Sequence, residues 1–398
     1  MSDRYCLLCK GKLPEKPLLE LTDMPASAQD IPDAEEVKKD KGITLNLCQC
    51  RQCGLVQFDC EPVSYYRDVI RSGGFSTTMI ELRRRQYRDF IETYRLKGKK
   101  FLEVGCGQGE FLSVLTEFPV EAFGIEHREA LVQMAREKGL SVSQGFTENA
   151  KMVLGENGPY DAFLSFNFLE HQPNPGIMLD CIWNNLTKDG LGLVTVPSLE
   201  YILQYDGYYE LLRDHIAYYS FETLHELFHR HGFQILEQEM VNRDTCSVIV
   251  KKRNKEEIGS SKTKREIKEC DVSALAASRE KIGGELTQLE KELKKKGETL
   301  AVWGAGHQGF TLASTTCLGR FARYIIDSAP FKQGRFAPAS HLPIVEPEYY
   351  FKDPVDSILI AAPGYTREIA QIIRNKFGVG VKIFALRSNH LEVLNEDI

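Results

Sequence analysis

Three groups of residues have the types and spacing to do chemistry. Cys6 and Cys9 form one C-x-x-C knuckle, and Cys50 and Cys53, followed by Gly54, form another. Two such knuckles can close four thiolates tetrahedrally on Zn²⁺, which lets a segment with little apolar core fold. An ion held by four protein sulfurs has no open position, so it would be structural. Cys48 leaves the register open, because it could replace Cys50 with a small shift. The second group lies in "FLEVGCGQGEF" (101–111), where Glu103, Gly105, Gly107 and Gly109 follow a short apolar run. Bare backbone lets a ligand approach the main chain closely, and the helix after it offers unpaired N–H groups. A triphosphate loop would need Lys followed by Ser or Thr after the glycines, and Glu110 and Phe111 stand there instead. Glu126, in "AFGIEH", is placed where a carboxylate could accept both hydroxyls of a ribose. The third group is polar: Asn167, Glu170 and His171 in "DAFLSFNFLEHQPNP" (161–175), and a second cluster with the Asp214–His215 pair. His171 reads equally well as a loop residue or a helix-cap neighbour. His225, His229 and His231 lack an acidic partner in sequence and read as surface or packing residues.

Regular elements must position these groups. Strands are expected at 101–104, 121–126, 161–166 and 191–196, with helices near 80–98, 109–118, 128–138 and 175–187. Such alternation predicts a parallel sheet flanked by helices, with ligands at the carboxyl ends of the strands. Ser220 is a plausible N-cap for a helix after the Asp–His pair. Beyond a basic stretch interleaved with acids (251–269), read as a solvated linker, the pattern begins again. A long helix is expected at 274–298, strands at 322–327, 356–361 and 381–385, and a helix at 365–377.

That second α/β unit carries a competing signal. Gly304-x-Gly306-x-x-Gly309 matches the dinucleotide fingerprint, with Asp327 about where a ribose acid should stand. Close helix-to-strand packing selects the same glycines, and the unit is short for a full dinucleotide fold.

At 398 residues, with a formal charge of −6, the chain has room for two or three domains and lacks the basic footprint of a nucleic-acid binder. It shows neither an apolar run long enough for a membrane span nor a signal-peptide core, so the expectation is a cytoplasmic protein with its eleven cysteines reduced.

Glu103-x-Gly105-x-Gly107-x-Gly109 with Glu126 resembles the first two motifs of class I S-adenosylmethionine-dependent methyltransferases. There the backbone takes the amino-acid end of the cofactor and the acid grips the ribose. Over nearly the entire chain, "CLLC", "CRQCGLVQF", "EVGCGQG", "NFLEH", "RDHIAYYS", "WGAG" and "DSAPFKQGRFAPASHLPI" (327–344) resemble the sugar-nucleotide C-methyltransferases of deoxysugar and branched-sugar pathways. The resemblance implies an α/β protein in four parts. These are a zinc-binding module (1–65), a class I methyltransferase Rossmann-like domain (66–253), a linker and helix (254–298), and a C-terminal Rossmann-like α/β domain (299–398) that helps enclose the sugar nucleotide without a redox cofactor. It implies S-adenosylmethionine bound by Glu103, Gly105, Gly107, Gly109, Glu126 and Asn167, and structural Zn²⁺ on Cys6, Cys9, Cys50 and Cys53. His215 would be the base beside Asp214, and His171 would contact the sugar. The small-molecule partner would be a nucleotide-linked keto-deoxysugar; neither nucleic acid nor membrane is expected, and the oligomeric state stays open, a monomer included. Two departures stand out. Leu212 occupies the place of a family tyrosine, with Asp–His where Glu–His is usual, and "VIRSGGFS" offers no match for a second tyrosine. The alternatives are an O- or N-methyltransferase of a sugar or small molecule, and a non-enzymatic zinc-knuckle or dinucleotide-binding protein.

Overall fold

The computed structural model describes residues 4–69, 76–254 and 266–394; most of the expected linker and of "VIRSGGFS" lies outside them. The first strands, β1 (Leu19–Met24), β2 (Ile43–Gln49) and β3 (Val56–Phe58), pair antiparallel. The second cysteine knuckle is the turn between β2 and β3. Gly54 closes it at φ +82°, a conformation that favours glycine, with its N–H on the Cys50 carbonyl at 2.9 Å.

Helix α1 (Thr77–Thr93) starts at Ser76, whose side chain accepts the Met79 N–H. The chain then alternates through β4 (Lys100–Val104), α2 (Glu110–Leu115), β5 (Glu121–Glu126), α3 (Glu129–Glu137), β6 (Ser141–Gln144), β7 (Tyr160–Phe166), α4 (Pro175–Asn185) and β8 (Leu186–Pro197). After α5 (Leu199–Gln204) come β9 (Ala217–Tyr218), α6 (Phe221–Arg230), β10 (Phe233–Val241) and β11 (Thr245–Lys252). The seven-stranded sheet runs β10-β11-β8-β7-β4-β5-β6, parallel from β8 to β6 and antiparallel at β11 and β10. Its central strands are apolar on both faces because helices cover both. Ser220 caps α6 with a reciprocal Thr223 bond, as its position suggested.

The four strands read from this region are present, while β6, β10 and β11 were not foreseen. The hairpin is half polar: in β10, all seven residues from Gln234 to Met240 are partly or fully exposed, so neither a continuous apolar run nor a clean alternation marks it. β8 also begins earlier than expected, immediately after α4.

The N-terminal sheet is completed by a strand from far along the chain, since β9 pairs antiparallel with β3. Apolar packing joins the same parts. Leu8, Leu55 and the buried knuckle cysteines share a core with Ala217, Tyr219, Leu224 and Phe228.

Helix α7 (Ser273–Lys296) follows, ending at Gly297 with φ +72°. Its buried stripe, Leu275, Ile282, Leu286, Leu289 and Leu293, has the three-and-four spacing of one helical face. That stripe packs between the β1–β2 hairpin and the last unit. There β12 (Leu300–Trp303), α8 (His307–Thr315), α9 (Leu318–Phe321), β13 (Ile325–Ile326), β14 (Ile344–Val345), β15 (Ser357–Ile360), α10 (Thr366–Phe377), β16 (Lys382–Arg387) and β17 (His390–Leu394) succeed one another. The six-stranded order is β14-β13-β12-β15-β16-β17, parallel except for β17. Among the described residues, no helix is long and apolar enough to cross a membrane.

Close packing of β8 on β7 makes a stability prediction. A Cβ on Gly192 would lie 2.1 Å from the Phe163 ring, which is fully buried. Gly192→Ala is expected to cost about 1–3 kcal/mol in chemical denaturation, whereas Gly283→Ala, with nothing within 4 Å of its added carbon on α7, should stabilise.

Candidate functional site

At the end of β4 the chain leaves Glu103, which is fully enclosed, and passes through Gly105, Gly107 and Gly109 at φ +71°, +59° and +83°. This left-handed geometry answers why three alternating glycines stand there, and contacts reinforce it at both ends. A Cβ on Gly105 would press on the Phe168 ring at 3.3 Å, and one on Gly109 would meet Leu140 at 2.2 Å. Glu126, at the end of neighbouring β5, accepts Gly107 N–H at 3.0 Å on one oxygen and Arg128 N–H at 2.9 Å on the other.

Glu126, His127, Phe146, Phe168 and Arg67 line the narrow cleft above this turn. Its outer wall comes from a segment that sequence reading left as an exposed loop. Asp68 bonds His127 Nδ1 at 2.7 Å, and Arg67 pairs with Glu148 at 3.0 Å while its guanidinium lies 5.5 Å from the Phe146 ring centre. Asn167 takes a left-handed turn at φ +48°. Its N–H reaches the Thr195 carbonyl at 2.8 Å, and its amide oxygen accepts the Thr195 hydroxyl at 2.9 Å. Beneath it, buried Arg83 donates to Thr195 at 3.2 Å and stacks 3.8 Å from the Phe166 ring centre.

The second half of the site forms where the turn Leu169–His171 meets the segment before β9. The His171 and His215 rings stand edge to face with centres 4.7 Å apart. His171 Nδ1 lies 2.7 Å from the Asp214 main-chain oxygen. That oxygen can only accept, so Nδ1 carries the proton and Nε2 is the basic nitrogen. The Asp214 carboxylate accepts the Tyr65 hydroxyl at 2.6 Å and the Ala28 N–H at 2.9 Å. Tyr65 was therefore missed by sequence reading, which had only the run "SYYRD" to signal it. Leu212, where the resemblance expects tyrosine, has its N–H and carbonyl both held by the Tyr218 hydroxyl, at 2.9 and 3.1 Å.

Burial sets the protonation states. Desolvation lowers the His171 pKa to about 4, against the opposing pull of its bond to Asp214. His215 is half-buried, and desolvation, then the charges of His171 and His307, hold it well below the ordinary imidazole value. Asp214 is raised by burial, with the Tyr65 and Ala28 bonds opposing. Both histidines are thus neutral at pH 7, and neutral imidazoles can accept protons.

The four knuckle cysteines converge. Cys6 and Cys53 sulfurs are 3.5 Å apart, Cys9 and Cys50 sulfurs 3.4 Å, and all four lie within 4.8 Å of one another. Cys50 stands in this cluster, and Cys48 is buried outside it. The other histidines go elsewhere: His225 bonds Gln238 at 2.9 Å, and His231 faces Asp180 at 3.3 Å.

The dinucleotide fingerprint has packing reasons of its own. A Cβ on Gly309 would lie 2.2 Å from the Gly304 oxygen, and Asp327 accepts two main-chain N–H groups at 2.9 Å beside Lys332 Nζ at 3.3 Å. A wide cavity, about 870 Å³, opens between Arg243 at the β10–β11 turn, Tyr365, Arg367 and Glu368 at the start of α10, and Arg387 and Glu392 of the β16–β17 hairpin.

A pH dependence follows from the buried imidazoles. Unfolded histidine takes its proton near 6.5 and native His171 near 4, so the unfolded state binds more protons between them. Stability present above pH 6.5 should fall as pH drops toward 4, with a contribution from His171 of about 3 kcal/mol by its lower end. Urea denaturation across that range should show the slope, and His171→Gln should flatten it.

Residues 79–238 match the profile of a methyltransferase domain family, and residues 244–385 that of the C-methyltransferase C-terminal domain. The C-methyltransferase NovU of Streptomyces niveus is 23% identical over 365 residues, covering 87% of this chain and 86% of that protein. A ubiquinone biosynthesis O-methyltransferase of Methylococcus capsulatus is 31% identical, but over 31% of this chain and 56% of its own. Among solved structures, magnesium protoporphyrin IX methyltransferase of Synechocystis with bound S-adenosylhomocysteine aligns with 48% of this chain and 91% of that one, at TM-score 0.36 and 15% identity. Two adjoining profiles and a relative aligned along most of the sequence place this chain in the family of S-adenosylmethionine-dependent C-methyltransferases.

Proposed function

We propose that this enzyme methylates a carbon next to the ketone of a nucleotide-linked keto-deoxysugar, in the cytoplasm. The observation that carries the reading is the pair of neutral imidazoles, His171 and His215, facing each other at the carboxyl end of β7, the neighbour of the strand that leads into the glycine turn. A carbon beside a ketone is acidic enough for such a base, because its carbanion is an enolate. Oxygen or nitrogen acceptors would need no carbon base.

S-adenosylmethionine, when bound, supplies an electrophilic methyl group. In this reading the positive-φ turn 105–109, next to enclosed Glu103, would receive its amino-acid end, and Glu126 at the end of β5 would accept the ribose hydroxyls. Asn167 would border the transfer position. In this scheme His215 takes the proton from carbon, and the C–H electron pair moves into the enolate, whose carbon then attacks. His171, with Nε2 basic, accepts a sugar hydroxyl. Asp214, fixed by Tyr65 and Ala28, holds the strand of chain that carries His215.

We also propose Zn²⁺ on Cys6, Cys9, Cys50 and Cys53. Sulfurs 2.3 Å from an ion in a tetrahedron are about 3.8 Å apart, close to the 3.5 and 3.4 Å seen here. Main-chain N–H groups of Cys9, Gly11 and Gln52 point at three of the sulfurs at 3.4–3.5 Å, which offsets thiolate charge.

Metal analysis of gently purified protein is expected to give about one zinc per chain, and Cys9→Ser should speed hydrogen exchange in residues 4–69 before it affects cofactor binding; protein without metal would refute the assignment. For the base, wild-type enzyme incubated in heavy water with a keto-sugar nucleotide and S-adenosylhomocysteine should exchange the proton beside the ketone. His215→Ala should abolish that exchange and lower turnover about 10²–10⁴-fold while still binding S-adenosylhomocysteine. Turnover without any carbon exchange would favour an O- or N-methyltransferase.

A further inference from the structure

Glu170, His171 and His215 bring one carboxylate oxygen and two imidazole nitrogens within 4.8 Å of one another. His171 Nε2 lies 3.9 Å from Glu170 Oε1, and the ring centres of the two histidines are 4.7 Å apart. Glu170 and His171 are buried, and His215 is half-buried.

Two hydrogen bonds hold the three residues in place. Asp214, the residue before His215, accepts the His171 Nδ1–H on its carbonyl at 2.7 Å, and Ile216, the residue after it, donates its N–H to the Glu170 carbonyl at 3.1 Å. His215 is thereby flanked on both sides by bonds to the other two. The first bond also fixes which nitrogen of His171 can bind a ligand, because Nδ1 carries the proton and Nε2 keeps its lone pair. A ring N–H given to a main-chain carbonyl is the usual support of a metal-ligating histidine.

The donor set selects the cation. Two imidazoles with one carboxylate suit Zn²⁺, Fe²⁺, Co²⁺ or Ni²⁺, whereas Mg²⁺ and Ca²⁺ prefer sites made of oxygen. Donor atoms around tetrahedral Zn²⁺ stand roughly 3.3–3.5 Å apart, so a separation of 4.8 Å closes by roughly 1.5 Å at most, a movement within reach of side-chain rotation at the less buried His215. Three protein ligands leave a position for water or another oxygen. The cluster thus differs in kind from the four cysteines, which offer sulfur and a closed site.

We propose that Glu170, His171 and His215 form a second metal site, open to one divalent transition-metal ion such as Zn²⁺, and that this ion competes with the sugar for the two imidazoles. The site stands on the placement of the three residues. Its effect as a brake on proton transfer rests on the reading of His215 as the base, since a ring nitrogen bound to a metal has no lone pair for a proton.

Zinc titration of full-length protein in a calorimeter, without substrate, tests the site. Whatever the cysteines hold, wild type is expected to bind one Zn²⁺ more per chain than His215→Asn or Glu170→Gln at matched concentrations. Each substitution should weaken that ion by more than the roughly 10–100-fold that loss of a supporting group costs. MgCl₂ should not replace zinc, and binding of S-adenosylhomocysteine checks that both variants are folded. In ¹³C-histidine-labelled protein the ring signals of His171 and His215, identified by their loss in His171→Gln and His215→Asn, should move together as this ion binds. Exposed His225 and His229 stand one turn apart on α6 and are the rival ligands. An extra zinc that survives His215→Asn and disappears in His229→Asn would overturn the site, as would equal zinc binding by wild type and both variants. Zinc bound at the site that left proton exchange in heavy water untouched would refute His215 as the base while the metal site stood. Exchange lost in His215→Ala, with no extra zinc in wild type, would do the reverse.

Discussion

The bond from His171 Nδ1 to the Asp214 carbonyl, 2.7 Å long and buried, ties the end of the central sheet to the segment that carries His215. The Ile216 N–H on the Glu170 carbonyl at 3.1 Å joins the same two segments, so the imidazoles are brought together by two bonds between otherwise separate loops. The side chain of the same residue, Asp214, is held by Tyr65 and Ala28. One aspartate therefore gathers three distant parts of the chain, its carbonyl fixing a tautomer and its carboxylate fixing the N-terminal segment. Burial makes these bonds stringent, because an enclosed carboxylate that lost its donors would bear the full desolvation cost. The histidines are neutral for the same reason.

The cofactor half of the site obeys a simpler constraint. Three glycines in left-handed conformations make a turn that side-chain-bearing residues would resist, and the Glu126 carboxylate braces that turn through the Gly107 N–H. Geometry that must hold a ligand is thus built from main chain, while proton chemistry is left to side chains gathered from several elements.

That division explains what could be read in the sequence. The glycine turn, Glu126 and the strands around them are local features with strong periodicity, and they appear where expected. The four cysteines were legible as a set, but the choice between Cys48 and Cys50 required the strand register, which places Cys48 on β2 and Cys50 in the turn. Tyr65, Arg67 and Asp68 were invisible as site residues because Asp214, Glu148 and His127, which they meet there, lie 59 or more positions away. The β10–β11 hairpin escaped because its exposure follows neither period. The second glycine fingerprint has a packing reason at Gly309, whose added carbon would meet the Gly304 oxygen.

The pairing of β3 with β9 has a consequence for how such a chain can be rearranged. The sheet that carries the second cysteine knuckle borrows its edge from Ala217 and Tyr218, which follow His215 by two and three positions. A recombination that exchanged the cysteine segment alone would leave one unpaired strand edge in the recipient and another in the donor, each a template for adventitious association. The cysteine module and the histidine segment are consequently joined as one heritable piece, although more than 150 residues of chain run between them.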